Sequence, residues 1–499
     1  MVLPLLIPEL ILLAGAVLCA IVGISSRRNV RDSLPVIAIG ALALAGCWYL
    51  FAADDAVLAA GVSMPFLGKW IGLVTCALGI VLVLLNAGTA DREYEAAVAA
   101  GRTTFDPLRT TRGEFYVFIL LSLGGLLLVT AARDLIWMFL ALELASLPTY
   151  VMVAMSRRDR RAQEAAMKYF FLGAMSAALF LYGFALLYGA TGTVELAGMQ
   201  EAFKAQAANG GIGLLGLAGM LLALLGIGFK LAAAPMHIYA ADVYEGAASS
   251  VTAFIGFVPK AAGALAFMLL LATMGWFDGT PLPAVIEVVL WVMAVLTMTL
   301  GNIGALLQTS AKRMLAWSSI AHSGYILIGI LAGPEHGGFA AVLLYLLAYG
   351  LGNTGVFAVL ASLRRGGVEV ESLEELSGLR ERHSRSAWTM AVSSASLLGF
   401  PPLFGFWGKL MIFIAGVSSG HIVLVVIAGL NSAISAAYYL RLVALPLMGE
   451  PNARSREVER ASTPWPRLAS TIVAIALVLL PLVLAALLQA STTSAVVGG

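Results

Sequence analysis

"GIGFKLAAAPMHIYAADVYEGA" occupies residues 226–247, inside a long apolar stretch. It carries a lysine (Lys230), a proline five residues later (Pro235), a histidine (His237) and two acids, Asp242 and Glu245. Each is expensive in hydrocarbon, where one charge at the bilayer centre costs roughly 2.5–3.5 kcal/mol even on the lenient insertion scale. The stretch reads as a membrane helix interrupted near its middle, and the whole chain supports that reading. Its 499 residues are 60% hydrophobic and 12% charged, with mean hydropathy +0.93. Soluble domains carry about 25% charged residues, so a soluble globular enzyme is excluded.

A span needs roughly 20 mostly apolar residues. That rule predicts an all-α, polytopic membrane protein of about fourteen transmembrane helices. They fall near 2–24, 34–53, 66–88, 114–132, 134–155, 164–190, 211–246, 250–273, 283–308, 313–332, 337–363, 387–416, 420–447 and 467–490. Two, 211–246 and 387–416, are too long for one straight span, and each has proline near its middle. The N-terminal "MVLPLLIPELILLAG" lacks a basic leader and reads as an uncleaved first helix. Cys19, Cys47 and Cys76 stand singly, which argues against a disulfide framework or a zinc or iron–sulfur site.

Basic residues set the orientation. With the N-terminus outside, 22 of the 30 Lys and Arg residues fall in inner loops and three (Lys69, Arg133 and Lys204) in outer ones. The positive-inside rule then puts both termini on the outer side. Five remain within spans: Lys168, Lys230, Lys260, Lys409 and Arg441.

Glu143, Lys230, Lys260 and His322 each lie within about two residues of the middle of their helices, in "LALELASLPTY" (140–150), the opening stretch, "FIGFVPKAAGA" (254–264) and "SSIAHSGY" (318–325). Snorkelling accounts for cations near helix ends, such as Lys168 and Arg441. It does not account for Lys230 or Lys260, about 15 Å from either surface. A static ion pair does not account for three lysines and one midplane carboxylate either. A hydrated row of protonatable groups does. Burial favours the neutral amine and a nearby carboxylate restores the charged one. At an assumed ~6 Å and a dielectric of 20 that attraction is about 2.8 kcal/mol. Moving one charge through 100 mV takes about 2.3 kcal/mol, so such a switch is sufficient.

Pro235 lacks an N–H and frees the carbonyl of Leu231; Pro401 and Pro402, in "LLGFPPLFGFWGKL" (397–410), free those of Leu397 and Leu398. Irregular backbone at that depth needs protein or a wet cavity around it. Helices 4–8 and 9–13 form two five-helix units of opposite starting side, and each break falls in the fourth helix, as in inverted-repeat transporters. The expected partition is 1–113 (three N-terminal helices and a loop), 114–273 (first repeat), 283–447 (second repeat) and 448–499 (a loop and the last helix). His237 is a candidate to pass protons between Lys230 and the inner side, or else a neutral histidine bonded to the freed carbonyl. Asp242 and Glu245 are candidate inlets at the inner end. "GIGLLG" (211–216) follows no strand and is no dinucleotide site. Residues 91–114 read as a solvated loop and 368–385 as a short amphipathic surface helix. Nothing points to a nucleotide, haem, metal or nucleic-acid site.

"ALELASLPTYVMVA" (141–154), "EAAMKYFFLGA" (164–174), the opening stretch, "KRMLAWSSIAHSGYILIG" (312–329) and "FPPLFGFWGKL" (400–410) together resemble the antiporter-like membrane subunits of bacterial NADH–quinone oxidoreductase, respiratory complex I, of the subunit N type. The family pattern "PFHxWxPDVYxGAP" stands here as "PMHIYAADVYEGAA", with Ala241 and Ala248 at two proline positions. The resemblance implies a multi-pass protein of the bacterial inner membrane with a proton path along Glu143, Lys168, Lys230, His237, Lys260, His322 and Lys409. It implies membrane-arm subunits as partners, with lipids around them and protons and water within. It places NADH, FMN, iron–sulfur clusters and quinone in other subunits, with no redox centre in this chain. The competing readings are a subunit of a multisubunit sodium/proton antiporter or membrane-bound hydrogenase-type complex, and a structural subunit without conduction. "DVYEG" and Lys409 favour subunit N, and the intact lysine set disfavours a structural role.

Overall fold

The computed structural model describes residues 6–51, 57–59, 62–64, 67–88, 90–107, 109–157, 159–276 and 280–497. Both termini, the ends 2–5, 52–53 and 66 of three expected spans, and Arg158 among the inner-loop arginines lie outside the described residues. The chain opens with α1 (Ile7–Gly23), α2 (Arg28–Arg31), α3 (Leu34–Phe51), the paired strands β1 (Val57–Ala59) and β2 (Val62–Met64), α4 (Leu67–Asn86) and α5 (Arg92–Ala99). Then come α6 (Arg112–Thr130), α7 (Leu135–Ser156), α8 (Arg160–Thr191), α9 (Leu196–Ala208), α10 (Leu214–Leu231), α11 (Ala240–Gly246) and α12 (Ser249–Leu271). The next group is α13 (Ala284–Leu306), α14 (Ala311–Ala332), α15 (Gly338–Ala361), α16 (Leu379–Leu398), α17 (Phe404–Ser418) and α18 (Ile422–Met448). The short α19 (Ala453–Arg456) and the long α20 (Trp465–Val497) finish it. Among the described residues, twelve helices are long and apolar enough to cross a membrane, while α1 and α17 are shorter and apolar. The twelve, with α1 and the interrupted pair α16–α17, make the fourteen spans expected.

Both interruptions fall on the prolines. Helix α10 stops at Leu231 because Ala232 turns left-handed (φ 55), and α11 begins only at Ala240. Helix α16 stops at Leu398, where Gly399 takes φ 88, a conformation that suits a residue without Cβ. Each gap contains a cis X–Pro bond, Ala234–Pro235 and Pro401–Pro402.

Two loop readings are corrected. Residues 91–114 contain α5, and both oxygens of Glu95 are held by Arg31 at 2.8 Å. The Arg31 guanidinium also lies 4.0 Å from the Phe105 ring centroid. A two-bond ion pair of this kind holds the Tyr94–Glu95 turn of α5 against the spans, while much of the rest of the segment stays exposed. Residues 368–385 are not one amphipathic helix. They form β4 (Val368–Glu369), which pairs antiparallel with β3 (Leu363–Arg365), then a 3-10 turn (Leu373–Leu376) and the start of α16, eight residues earlier than 387. Strand β3 also pairs with β5 (Val458–Arg460).

Inward-pointing charge explains the second correction. Glu369 accepts from Arg157 (2.8 Å), from Arg364 (3.2 Å) and from the N–H and hydroxyl of Ser249 (2.8 and 2.7 Å). Arg157 also holds Glu371 at 2.7 Å. Lys312, counted from sequence as a loop cation, is 0% exposed. Its amine donates to the carbonyls of Glu245 (3.0 Å) and Ala247 and stands 4.0 Å from Glu371. Burial alone would raise the Glu369 carboxyl; Lys312, Arg157, Arg364 and the Ser249 N–H outweigh it and hold it at about 2.

A carboxyl held below its unfolded value of 4.5 contributes stability that is complete above that pH and is lost as pH falls towards about 2. Glu369→Gln is therefore expected to remove on the order of 3 kcal/mol at neutral pH. Thermal unfolding between pH 7 and 3 checks it: the wild-type midpoint should fall with acid more steeply than the variant's. Parallel slopes would exclude the assignment.

The interior is built from three helices. The apolar window of α12 is 100% buried, that of α14 94% and that of α15 83%, against 33% for α8 and α18. Polar groups on α12, α14 and α15 therefore meet protein and are spared contact with lipid. Around them backbones approach closely. A Cβ on Gly226 of α10 would lie 2.6 Å from the backbone nitrogen of Phe180 on α8, and Ser176 donates to the Gly226 carbonyl at 2.7 Å.

Candidate functional site

The first half of the site lies between α7 and the broken helix. Lys230 is in the last turn of α10, 3% exposed, with its amine 3.0 Å from Glu143 Oε1, 2.5 Å from the Ser146 hydroxyl and 3.5 Å from that of Tyr150. Because α10 ends one residue later, the amine also sits at the partly negative carboxyl end of a helix. At 3.0 Å and a dielectric of 20, the pair attracts by about 5.5 kcal/mol, well above the sequence-based figure.

The polar groups freed by the break are satisfied within the protein. The Leu231 carbonyl, released by Pro235, accepts from Ser323 on α14. Ala234 N–H donates to Thr297 (2.9 Å), and Tyr239 donates to the Phe229 carbonyl (2.9 Å). His237 does not take the Leu231 carbonyl. It is 9% exposed, edge-on to Trp317 at 5.8 Å, and its Nδ1 has no hydrogen-bond partner.

The second half lies on the buried helices. Lys260, from α12, donates to the carbonyl (2.5 Å) and hydroxyl (2.8 Å) of Ser319 and rests 4.6 Å from the Tyr349 ring centroid. The Ser319 hydroxyl also meets Tyr349 (2.7 Å) and Tyr244 (3.2 Å). One turn along α14, His322 bridges two phenols, Nδ1 to Tyr345 at 2.6 Å and Nε2 to Tyr439 at 2.8 Å. A neutral imidazole has one donor and one acceptor, and a phenol can serve as either, so this chain can be written with its protons pointing either way.

Lys409 lies on α17, yet its amine reaches back to the carbonyl of Leu398 (2.7 Å), one of the two freed by the prolines, and to Ser432 (3.2 Å). Both break lysines thus place their ammonium at the carboxyl end of a half-helix. Among the described residues, neither Lys260 nor Lys409 has a carboxylate within 4.0 Å. A cavity of about 10 Å³ lies between His322, Tyr345, Tyr349 and Lys409. That is close to the space one water requires.

The remaining candidates gather at one surface. Lys168, its side chain 42% exposed, pairs with Asp242 (2.8 Å) and Glu164 (2.7 Å). Arg313 bonds Asp242 and Glu245, each at 2.9 Å. Lys168, Asp242 and Glu245 therefore form one surface cluster, and Lys168 stands apart from the buried lysines Lys230, Lys260 and Lys409. Arg441 snorkels, as expected of a cation near a helix end, to the carbonyls of Gln308 (3.1 Å) and Ala305 (3.3 Å).

Sequence reasoning missed the hydroxyls that join the row, namely Ser146, Ser319, Tyr345, Tyr349, Tyr439 and Ser432, and it misplaced Lys312. A usable signal existed. Ser146 lies three residues from Glu143, Ser319 three from His322, and Tyr345 and Tyr349 are one turn apart, each on the face its helix turns inward. Among the described residues no group of three His, Cys, Asp or Glu side chains could hold a metal ion.

The transmembrane family described as NADH:quinone oxidoreductase/Mrp antiporter matches residues 132–435. The chain belongs to this family. All seven residues of the expected path fall inside the matched stretch of this NADH:quinone oxidoreductase/Mrp antiporter member. NADH-quinone oxidoreductase subunit N 2 of Rhizobium meliloti (strain 1021) is 36% identical over 467 residues, 92% of this chain and 90% of that protein. Subunit N of Halorhodospira halophila (strain DSM 244 / SL1) is 39% identical over 362 residues, 72% of each. Among solved structures, a chain of respiratory complex I from Thermus thermophilus with bound aureothin matches with TM-score 0.74 and 31% identity, over 95% of this chain and 97% of that one. A chain of the Mrp complex from Dietzia sp. DQ12-45-1b matches with TM-score 0.75 and 22% identity, over 98% and 96%, and shares the fold alone.

Proposed function

We propose that this chain is the proton-translocating subunit N of an NADH–quinone oxidoreductase in a bacterial inner membrane, coupled to redox chemistry carried out by partner subunits. The observation that carries the reading is the Glu143–Lys230 pair at the end of a broken helix, followed inward by Lys260 and Lys409, which lack a carboxylate partner. A proton arriving at one member changes the field at the next, and the hydroxyls of Ser319, Tyr345 and Tyr439 offer exchangeable protons between them. In this reading the Asp242–Glu245 cluster with Lys168 is the inlet and His237 the step towards Lys230. His322 joins Lys260 to Lys409. Residues 114–273 and 283–447 act as inverted repeats, 1–113 and 448–499 flank them, and both termini face outward. NADH, FMN, iron–sulfur clusters and quinone are assigned to partner subunits, and the other membrane-arm subunits are its neighbours.

The identity of 36–39% to subunit N proteins favours this over a sodium/proton antiporter subunit, to which the likeness is in fold. A tag on this chain should co-purify NADH-oxidising activity together with flavin and iron–sulfur absorbance. Proton movement in vesicles should be driven by NADH and unchanged when sodium is replaced by potassium. Isolation without NADH oxidation, with sodium-dependent proton exchange, would reverse the choice.

A further inference from the structure

Away from the lysine row, one corner collects guanidiniums that no carboxylate neutralises. Arg382 and Arg385 lie near the start of α16, Arg460 ends β5, and Arg467 is in the first turn of α20. Their neighbours Arg364, Arg365 and Arg454 are ion-paired. Among the described residues, these four have no carboxylate oxygen within 4.0 Å, although Glu381 and Glu459 stand beside them in the chain. His383 is where they converge. Its Nε2–H donates to the Val458 carbonyl at 3.0 Å, which leaves Nδ1 as acceptor for Arg460 Nε at 3.3 Å. Arg382 donates to the Arg456 carbonyl, and Arg460, Arg382 and Arg467 all act electrostatically on His383. The Nε of Arg467 is buried and has no acceptor.

What lies beside these arginines is apolar. Trp388, on α16, is 55% exposed, and Trp465, the first residue of α20, where its apolar span (Trp465–Val483) begins, is 42% exposed. Indole rings favour the headgroup boundary. Further along α20, Leu468, Ile472, Ile475, Leu479 and Leu482 are exposed at alternating spacings of four and three, on one face of the helix.

We propose that this corner binds the phosphate of an anionic phospholipid, held by Arg382, Arg460 and Arg467, with its acyl chains along the exposed stripe of α20. Three unneutralised cations and the positive end of α20 supply the headgroup site. The apolar stripe directly beside them selects a lipid over an acidic protein segment, which would need a polar rim there. The inference stands independently of the proton-path reading.

The test uses the assembled, delipidated complex in detergent, titrated separately with phosphatidylglycerol, phosphatidylcholine and inorganic phosphate. Bound lipid is counted by native mass spectrometry and the thermal midpoint is followed. Wild type should retain phosphatidylglycerol at least about tenfold more tightly than phosphatidylcholine. The triple variant Arg382→Gln, Arg460→Gln, Arg467→Gln should bind it roughly a hundredfold more weakly, about fivefold per guanidinium, with NADH oxidation unchanged. A triple lysine variant should recover much of the binding. Equal binding by wild type and the glutamine variant overturns the proposal. So does binding of phosphate without retention of phosphatidylglycerol, which marks a soluble-anion site, and so does loss of a neighbouring subunit with lipid retention unchanged. If the glutamine variant fails to assemble, equal retention of the two lipids by wild type still overturns it.

Discussion

Lys230→Ala is expected to cut the protons moved per NADH oxidised by roughly tenfold or more in inverted membrane vesicles, a smaller loss than the roughly 10²–10⁴-fold that a positioned proton-transfer group contributes to a catalysed rate. Oxidation of NADH by an artificial acceptor should survive, because that chemistry is assigned to other subunits. The amine is the charge partner of Glu143 at 3.0 Å, and its removal leaves a largely buried carboxylate unpaired, at about 3–5 kcal/mol. Loss of pumping alone does not separate this role from damaged packing, so the double variant Glu143→Gln, Lys230→Ala is the control. With no uncompensated charge it should regain most of the lost thermal stability while pumping stays low. If stability and pumping return together, the pair is structural. If the single variant pumps like wild type, Lys230 carries no proton.

Lys409→Gln is expected to abolish pumping to a similar degree while leaving the thermal midpoint close to wild type. The side-chain amide still offers an N–H to the Leu398 carbonyl, which the lysine amine now holds at 2.7 Å, but it cannot take up and release a proton near neutrality. Lys409→Ala should also lose pumping and in addition destabilise the protein by about 1–3 kcal/mol, since the buried carbonyl loses its donor. Measuring both variants by thermal unfolding and NADH-driven acidification separates the two roles. Normal acidification with the glutamine variant would show that Lys409 serves the break and not the path.

Hydropathy and proline placement were enough for the span count and the two breaks, because the bilayer imposes a length and a charge penalty that a linear sequence displays directly. The family was legible from the resemblance of its motifs, which are local. Three readings failed because they depended on partners distant in sequence. Glu95 is captured by Arg31, 64 residues away, which turns an expected solvated loop into α5. Glu369 is drawn in by Arg157, 212 residues away, so 368–385 does not form a surface helix. Lys312, beside a loop, is buried beneath the carbonyls of Glu245 and Ala247.

By itself the sequence led to the expectation that ionisable groups share one depth in the membrane, and it located the two helix interruptions at their prolines, since those costs are set residue by residue. Only the tertiary structure decided which groups touch. It gave the Leu231 carbonyl to Ser323 and left His237 without that bond. It carried the Lys409 amine back across its own break to Leu398, and it set Lys168 at the surface with Asp242. Hydrogen bonds and ion pairs act over about 3–4 Å, and side chains far apart in the chain come within that distance only once the helices have packed.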